Sequence, residues 1–326
     1  MDADRVQGPA WLRPGWDREA DAWILAALER LGSEATGPVE HVRDFPWGAI
    51  RRVPTTDGVV WFKEGPPALA FEPALTMLVA RRRPDFVPTV LAADDARMLT
   101  ADAGRPLREV LEQGADGPDW HGIVRELAEL QIEAAADAEE LLAVGAPDRR
   151  PERLAAAAAE LIDRSSDALF GFLPLLPRIE GLVEELGDAV PLSVSHEEVQ
   201  EQNVVVSDGR PVLLDWAEVS VSHPFAGLLM TLRRAVEAPG VEPGGREVLA
   251  LRDAYLEPWT RFAPPAELRR VFDAAYLLGM VSRALTWQAI YGDGGPAEDG
   301  FEYDSPRAWF ALLTSALTDG IRLGGP

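Results

Sequence analysis

His196-Glu197-Glu198-Val199-Gln200-Glu201-Gln202-Asn203, followed past a short interval by Leu213-Leu214-Asp215-Trp216, is the stretch that decides how this chain is read. A zinc-protease helix would require His-Glu-x-x-His, and Gln200 stands where the second histidine belongs. What remains is a histidine, a carboxylate two positions on, an amide five further, and an aspartate closing the next apolar run. Phosphoryl transfer asks for these residue types: one carboxylate to orient an acceptor hydroxyl, and hard oxygen ligands to hold Mg²⁺ against nucleotide phosphates.

Outward from this segment, Leu192 to His196, Asn203 to Ser207 and Pro211 to Asp215 are β-like runs, the last two joined by Asp208-Gly209-Arg210. Their surroundings are helical, with periodic apolar segments near 119–143, 151–170, 176–187, 224–237, 246–262, 266–291 and 306–320. Toward the N-terminus the pattern changes. Trp16, Ala20, Trp23, Ile24, Ala27 and Leu28 mark one amphipathic helix over 16–31. Ala49 to Val53 and Val59 to Lys63 flank Thr55-Thr56-Asp57-Gly58 as a hairpin. A helix over Pro73 to Arg83 and a strand pair, Val87 to Ala93 with Arg97 to Thr100, complete this part. The expected fold is α+β with two lobes: a sheet-plus-helix lobe over 1–100 and a larger, mainly helical lobe over 101–326, connected by Leu99 to Gly104.

Composition narrows the chemistry. Of 31 basic residues, all but Lys63 are arginine, and Lys63 lies between Phe62 and Glu64, so no Gly-Lys-Ser/Thr phosphate loop exists. A strand-borne lysine opposite the aspartate would instead neutralise phosphates. A Schiff-base role for the same lysine lacks a supporting glycine-rich phosphate loop. The net charge of -23 argues against a nucleic-acid partner. With no cysteine, no apolar start and no run of membrane-spanning length, a cytoplasmic location is expected, without disulfides or membrane.

Together these motifs resemble the aminoglycoside phosphotransferase family of kinase-like small-molecule phosphotransferases, over nearly the whole chain. The family pattern His-Gly/Asp-Asp-x-His-x-x-Asn, then a hairpin and Ile/Leu-Asp-Trp, is matched by His196 to Asn203 and Leu214-Asp215-Trp216. Val60-Trp61-Phe62-Lys63 resembles its lysine strand, and Phe71-Glu72 its Glu-bearing helix. Met98 to Gly104 resembles the strand and hinge of the adenine pocket, and Leu127 to Gln131 a helix that often carries Leu-His.

The resemblance implies a protein-kinase-like fold that moves the γ-phosphate of ATP or GTP to a small-molecule hydroxyl, in antibiotic resistance or biosynthesis. Lys63 would contact phosphates and pair with Glu72, and Leu99 and Ala101 would line the adenine pocket. Asn203 and Asp215 would hold Mg²⁺, with Glu198 and His196 as the catalytic pair, His196 bracing the loop. Phe45-Pro46-Trp47-Gly48 would be a short nucleotide loop, and His223 a turn residue.

The catalytic loop departs from the family pattern. Glutamate at 198 adds a methylene, a displacement of roughly an ångström that can cost on the order of a hundredfold in rate. Gln200 replaces the usual histidine, and Glu197, Glu198 and Glu201 crowd three carboxylates together, which disfavours their ionisation unless a cation sits among them. Phosphorylation of Ser or Thr in a peptide, and a non-catalytic nucleotide-binding pseudokinase, are the alternatives. The acidic, glycine-rich segment Tyr291 to Asp304 reads either as a lid over a cationic amino sugar or amino alcohol, or as a solvated loop.

Overall fold

Helix α1 (Trp16–Leu31) forms where apolar residues recur at helical spacing, and it stops at Gly32, whose left-handed backbone (φ 72°) caps the last turn. The computed structural model of the chain describes residues 9–45, 47–113, 117–165, 169–292 and 305–325. The apolar stripe of α1, with Trp16 and Ile24 fully buried, covers one face of an antiparallel sheet through Val53, Val60, Phe62 and Leu99. Burying each such large side chain contributes about 1.5–3 kcal/mol.

That sheet contains β1 (Glu40–Phe45), β2 (Gly48–Thr55), β3 (Gly58–Glu64), β4 (Val90–Asp94) and β5 (Arg97–Ala101), in the order β1-β2-β3-β5-β4. Helix α2 (Glu72–Ala80) lies between β3 and β4 in the chain and starts with Pro73 in its first turn. The turn between β2 and β3 is closed by Thr55, whose hydroxyl donates to the Gly58 carbonyl at 2.9 Å. Strand β1 was not expected from sequence. It is an edge strand with a register shift between His41 and Arg43, and its residues are largely exposed, so it carries no alternating apolar signal.

After β5 the chain passes through Gly104, whose φ of 116° and close approach to β9 exclude a side chain: a Cβ would stand 2.2 Å from the Val206 carbonyl oxygen. There follow β6 (Arg105–Pro106), α3 (Leu107–Glu112), α4 (Trp120–Ala134), α5 (Ala138–Ala143), β7 (Asp148–Arg149), α6 (Pro151–Arg164) and α7 (Leu176–Leu186). The central strands are β8 (Ser193–His196), β9 (Val204–Ser207), β10 (Arg210–Leu213) and β11 (Val219–Ser222), and the chain ends with α8 (Leu229–Ala235), α9 (Arg246–Leu256), α10 (Pro265–Tyr291) and α11 (Pro306–Asp319).

Two small sheets, β10-β9-β6 and β7-β11-β8, present the decisive segment. Strand β11, also unexpected, pairs Val219 with His196 and so holds the start of the catalytic-loop segment in place. Buried Gln131 on α4, in the position of the expected Leu-His, pins β8. Its amide donates to the Val194 carbonyl at 2.9 Å and accepts from the Tyr255 hydroxyl at 2.6 Å.

Three expected helices are interrupted. The 119–143 segment breaks between α4 and α5, 224–237 begins with a tight 3-10 turn before α8, and 246–262 ends its α-helix at Leu256, before Pro258. Helix α10 runs through the core, buried along most of Leu268 to Trp287. Among the described residues no helix is long and apolar enough to cross a membrane. Residues 293–304 of the expected lid lie outside the described residues.

Candidate active site

Alternation along β3 sends Phe62 toward α1 and Lys63 to the opposite face, where β5 contributes Met98, its cross-strand partner. Lys63 Nζ donates to Glu72 Oε1 at 2.6 Å and to Asp215 Oδ1 at 2.5 Å, joining the sheet, α2 and the end of β10. Burial opposes the lysine charge, but Asp215 and then Glu72 outweigh it and raise its pKa. An ammonium held by two carboxylates is not an available nucleophile, which removes the Schiff-base reading.

Burial drives the Glu72 carboxyl up to about 7, Lys63 pulling it down and Asp215 pushing it up. Asp215 is also penalised by burial, yet Lys63 and then His196 hold it below the usual carboxylate range. Its backbone is left-handed, with φ 62°, an unusual state for a non-glycine residue that aspartate tolerates better than most.

The loop that faces this cluster is fixed by its own backbone. His196 Nδ1 accepts from the Glu198 amide at 3.2 Å, while Nε2 lies 3.1 Å from the Leu214 carbonyl and donates to it in the neutral tautomer. The ring stands edge-on to Trp216, with centroids 5.0 Å apart. His196 is wholly buried, and its hydrogen bonds hold the loop geometry. Asn203 Nδ2 donates to the Glu198 carbonyl at 2.9 Å, leaving its side-chain oxygen for a ligand.

The three crowded glutamates separate in space. Glu197 turns inward to Ser282 at 2.5 Å, Ser220 at 3.0 Å and Thr286 at 3.2 Å. Glu201 turns outward to Arg108 at 3.0 Å. Glu198 takes a 2.6 Å ion pair from Arg283 of α10, and Gln200 donates a short hydrogen bond to it. Arg283, which sequence reasoning missed, also pairs with Glu218 and is itself buried. Two buried carboxylates on one guanidinium cannot both keep ordinary acidity: burial raises Glu198 and carries Glu218 up to about 8, against the pull of Arg283. The signal for Arg283 was a lone charge inside the apolar run Ala274 to Trp287.

These groups line a cleft of about 780 Å³ that includes Glu198, Asn203, Asp215 and Arg283. Its roof is the turn between β1 and β2, where Phe45 stacks on Trp47 at 5.0 Å and Trp47 meets Trp287 of α10 edge-on at 5.7 Å. The model of the phosphotransferase enzyme family matches residues 55–267, from the turn before β3 into α10. The chain belongs to this family.

Solved structures agree on the protein-kinase-like fold. The phosphotransferase superposes on a macrolide 2'-phosphotransferase from Brachybacterium faecium with a TM-score of 0.53 and 21% identity, covering 86% of this chain and 99% of that one. A choline/ethanolamine kinase family protein from Mesorhizobium loti gives a TM-score of 0.61 at 17% identity, covering 92% and 94%. Choline kinase from Streptococcus pneumoniae gives 0.59 at 12% identity, covering 93% and 100%. Curated protein sequences give no match.

Within the phosphotransferase, Lys63, Glu72 and Asp215 are in contact and Glu198, Asn203 and Asp215 line one cleft, while the side chains of the two hinge residues lie elsewhere. Leu99 is fully buried among the residues that pack against α1, and Ala101 lines a separate cavity of about 490 Å³ with Thr89 and Asp208. The side chains on the Lys63 face include Ile50, Arg52, Trp61, Met98 and Thr100, and Trp61 Nε1 donates to Asp102 of the connection at 3.0 Å. His223 is structural: it caps the turn at Pro224 by accepting from the Phe225 amide.

The two buried histidines predict acid sensitivity. Burial holds His196 down to about 4 and His223 down to about 3, from an ordinary 6.5. Below 6.5 the unfolded chain takes up protons that the folded one refuses, so stability falls as pH drops toward 4 and 3. Glu72 and Glu218 act oppositely, favouring the folded state as pH falls from about 8 toward 4.5. Melting temperatures of wild type and His223→Asn between these limits check this. The acid limb should flatten in the variant, and an unchanged slope would exclude His223 as its source.

Proposed function

We propose that the phosphotransferase transfers the γ-phosphate of ATP or GTP, with Mg²⁺, to a hydroxyl of a small molecule bound in the cleft. The observation that carries this is the convergence of Lys63, Glu72 and Asp215, the outer two brought together across 152 residues, opposite the Glu198 loop.

The donor atoms suit the metal. Among the described residues no three acidic or histidine groups cluster as a metal cage. Mg²⁺ usually takes one or two protein oxygens and completes its shell with phosphate and water. Asp215 and the Asn203 side-chain oxygen supply that minimal set. The ion, when bound, neutralises charge on the phosphates. Lys63 does the same from the sheet, held by Glu72, and the base would lie beneath Ile50 and Trp61. Glu198 orients the acceptor hydroxyl and receives its proton as the new oxygen–phosphorus bond forms and the bond to the departing diphosphate breaks.

Thermal unfolding with and without Mg²⁺ and each nucleotide tests the site. Saturation at about a hundredfold above Kd stabilises by ~2.7 kcal/mol, a rise of several degrees for a chain of this size. No shift with either nucleotide would remove the proposal. Nucleotide binding without phosphate transfer to any alcohol or peptide would support the non-catalytic reading instead.

A further inference from the structure

The acceptor end of the cleft is already supplied with positive charge. Of the described residues lining it, four carry carboxylates, and each has an internal cation. Glu198 and Glu218 share Arg283, Asp215 faces Lys63 at 2.5 Å, and Glu237 takes Arg234 at 2.6 Å. The indole faces are used in the same way. The Arg283 guanidinium lies 5.2 Å from the Trp287 ring centre and 5.6 Å from that of Trp309, and Arg233 lies 5.7 Å from Trp309. Recognition of an ammonium group depends on carboxylates and aromatic faces that have no other cation to satisfy.

The walls beside this cluster, Met230, Val236 and the Phe45–Trp47 stack, are apolar.

We propose that the acceptor is an uncharged alcohol and that Arg283 occupies the seat an acceptor ammonium would otherwise take. This rests on the phosphotransferase reading of the cleft and reverses the expectation of an amino sugar or amino alcohol. The body of the acceptor lies along the apolar wall of Met230, Val236, Phe45 and Trp47, and its hydroxyl reaches Glu198. Arg283 is then both the partner that holds Glu198 and the group that excludes cations.

The test has a binding arm that needs no acceptor. Wild type and Arg283→Gln are titrated with tetramethylammonium and with ethylguanidinium against a sodium chloride control, following tryptophan fluorescence and melting temperature. Wild type should respond no more than to the salt control. Arg283→Gln should gain saturable binding of about tenfold or greater preference over sodium, because a seat between two carboxylates and two indoles is open. Saturable binding by wild type, or no gain in the variant, overturns the proposal. Should Arg283→Gln fail to fold, Arg283→Met opens the same seat, and the wild-type titration decides by itself.

In the turnover arm, choline and dimethylbutanol, and glucosamine and glucose, form pairs that differ by one charge. A preference of wild type for the uncharged member, narrowed in Arg283→Gln, agrees with the proposal, whereas a preference for the cation contradicts it. The Mg²⁺-nucleotide melting shift is read separately. Its absence would remove the phosphotransferase reading and leave the cation-binding result standing.

Discussion

Glu198→Gln is expected to lower kcat by about 10²–10⁴-fold while leaving the nucleotide-induced melting shift in place. Gln keeps the length of the side chain, and its one oxygen can still accept from Arg283, although its amide nitrogen cannot accept from Gln200, which Glu198 meets with its second oxygen. It also loses the ability to take the acceptor proton. Burial, which raises the Glu198 pKa, also makes it a stronger base than an exposed carboxylate. Single-turnover measurements with the best acceptor and saturating Mg²⁺-nucleotide separate this step from binding. Equal rates for the two proteins would show that Glu198 only shapes the cleft. Glu198→Asp supplies the complementary case. The shorter side chain retracts from Arg283, so the 2.6 Å ion pair should be lost even though a carboxylate remains.

Asp215→Asn is expected to reduce turnover by roughly 10³-fold and to abolish the Mg²⁺ dependence of nucleotide binding. The amide has one oxygen and no charge, so it is a poorer ligand for a hard divalent cation. The same change should alter Glu72. Asp215 contributes to the raised pKa of Glu72, so removing its charge lowers that pKa from about 7. The Lys63–Glu72 contact at 2.6 Å should therefore persist at neutral pH, and the variant should fold. Calorimetric titration with nucleotide, at several Mg²⁺ concentrations, gives the result. Undiminished Mg²⁺-linked binding in a folded Asp215→Asn protein would place the metal elsewhere.

Much of this site was legible because its parts are local patterns. A lysine at the end of Val59 to Lys63 and an aspartate at the end of Pro211 to Asp215 are charges that terminate apolar strands, and packing alone does not explain them. Helix α1 was legible for a similar reason, its buried stripe following the helical period from Trp16 to Leu28. The edge strand β1 escaped because exposed positions impose no alternation. Strand β11 escaped because it is only four residues long and buried throughout, which gives no period to read.

The crowding of Glu197, Glu198 and Glu201 shows where sequence reasoning stops. Proximity along the chain suggested mutual repulsion relieved by a cation. The cation exists, but it is Arg283, which reaches Glu198 alone, while Glu197 and Glu201 leave in other directions to Ser282 and Arg108. The strand expected to line the adenine pocket teaches the same lesson through its register. Met98 to Ala101 were identified as a segment, yet the pleat sends Leu99 to α1 and gives Met98 and Thr100 to the Lys63 face.

The amino-acid sequence by itself determined the order of strands and helices that defines the family, and the identities of Lys63, Glu72, Glu198, Asn203 and Asp215, because each is written within a few residues of a readable periodic element. Only the tertiary structure decided which carboxylates are neutralised, which face of β5 lies beside Lys63, and that the cleft carries its own cation. Those outcomes depend on contacts such as Arg283 with Glu218, 65 positions away, and electrostatic energy follows distance in space, with the dielectric of the buried site, not separation along the chain.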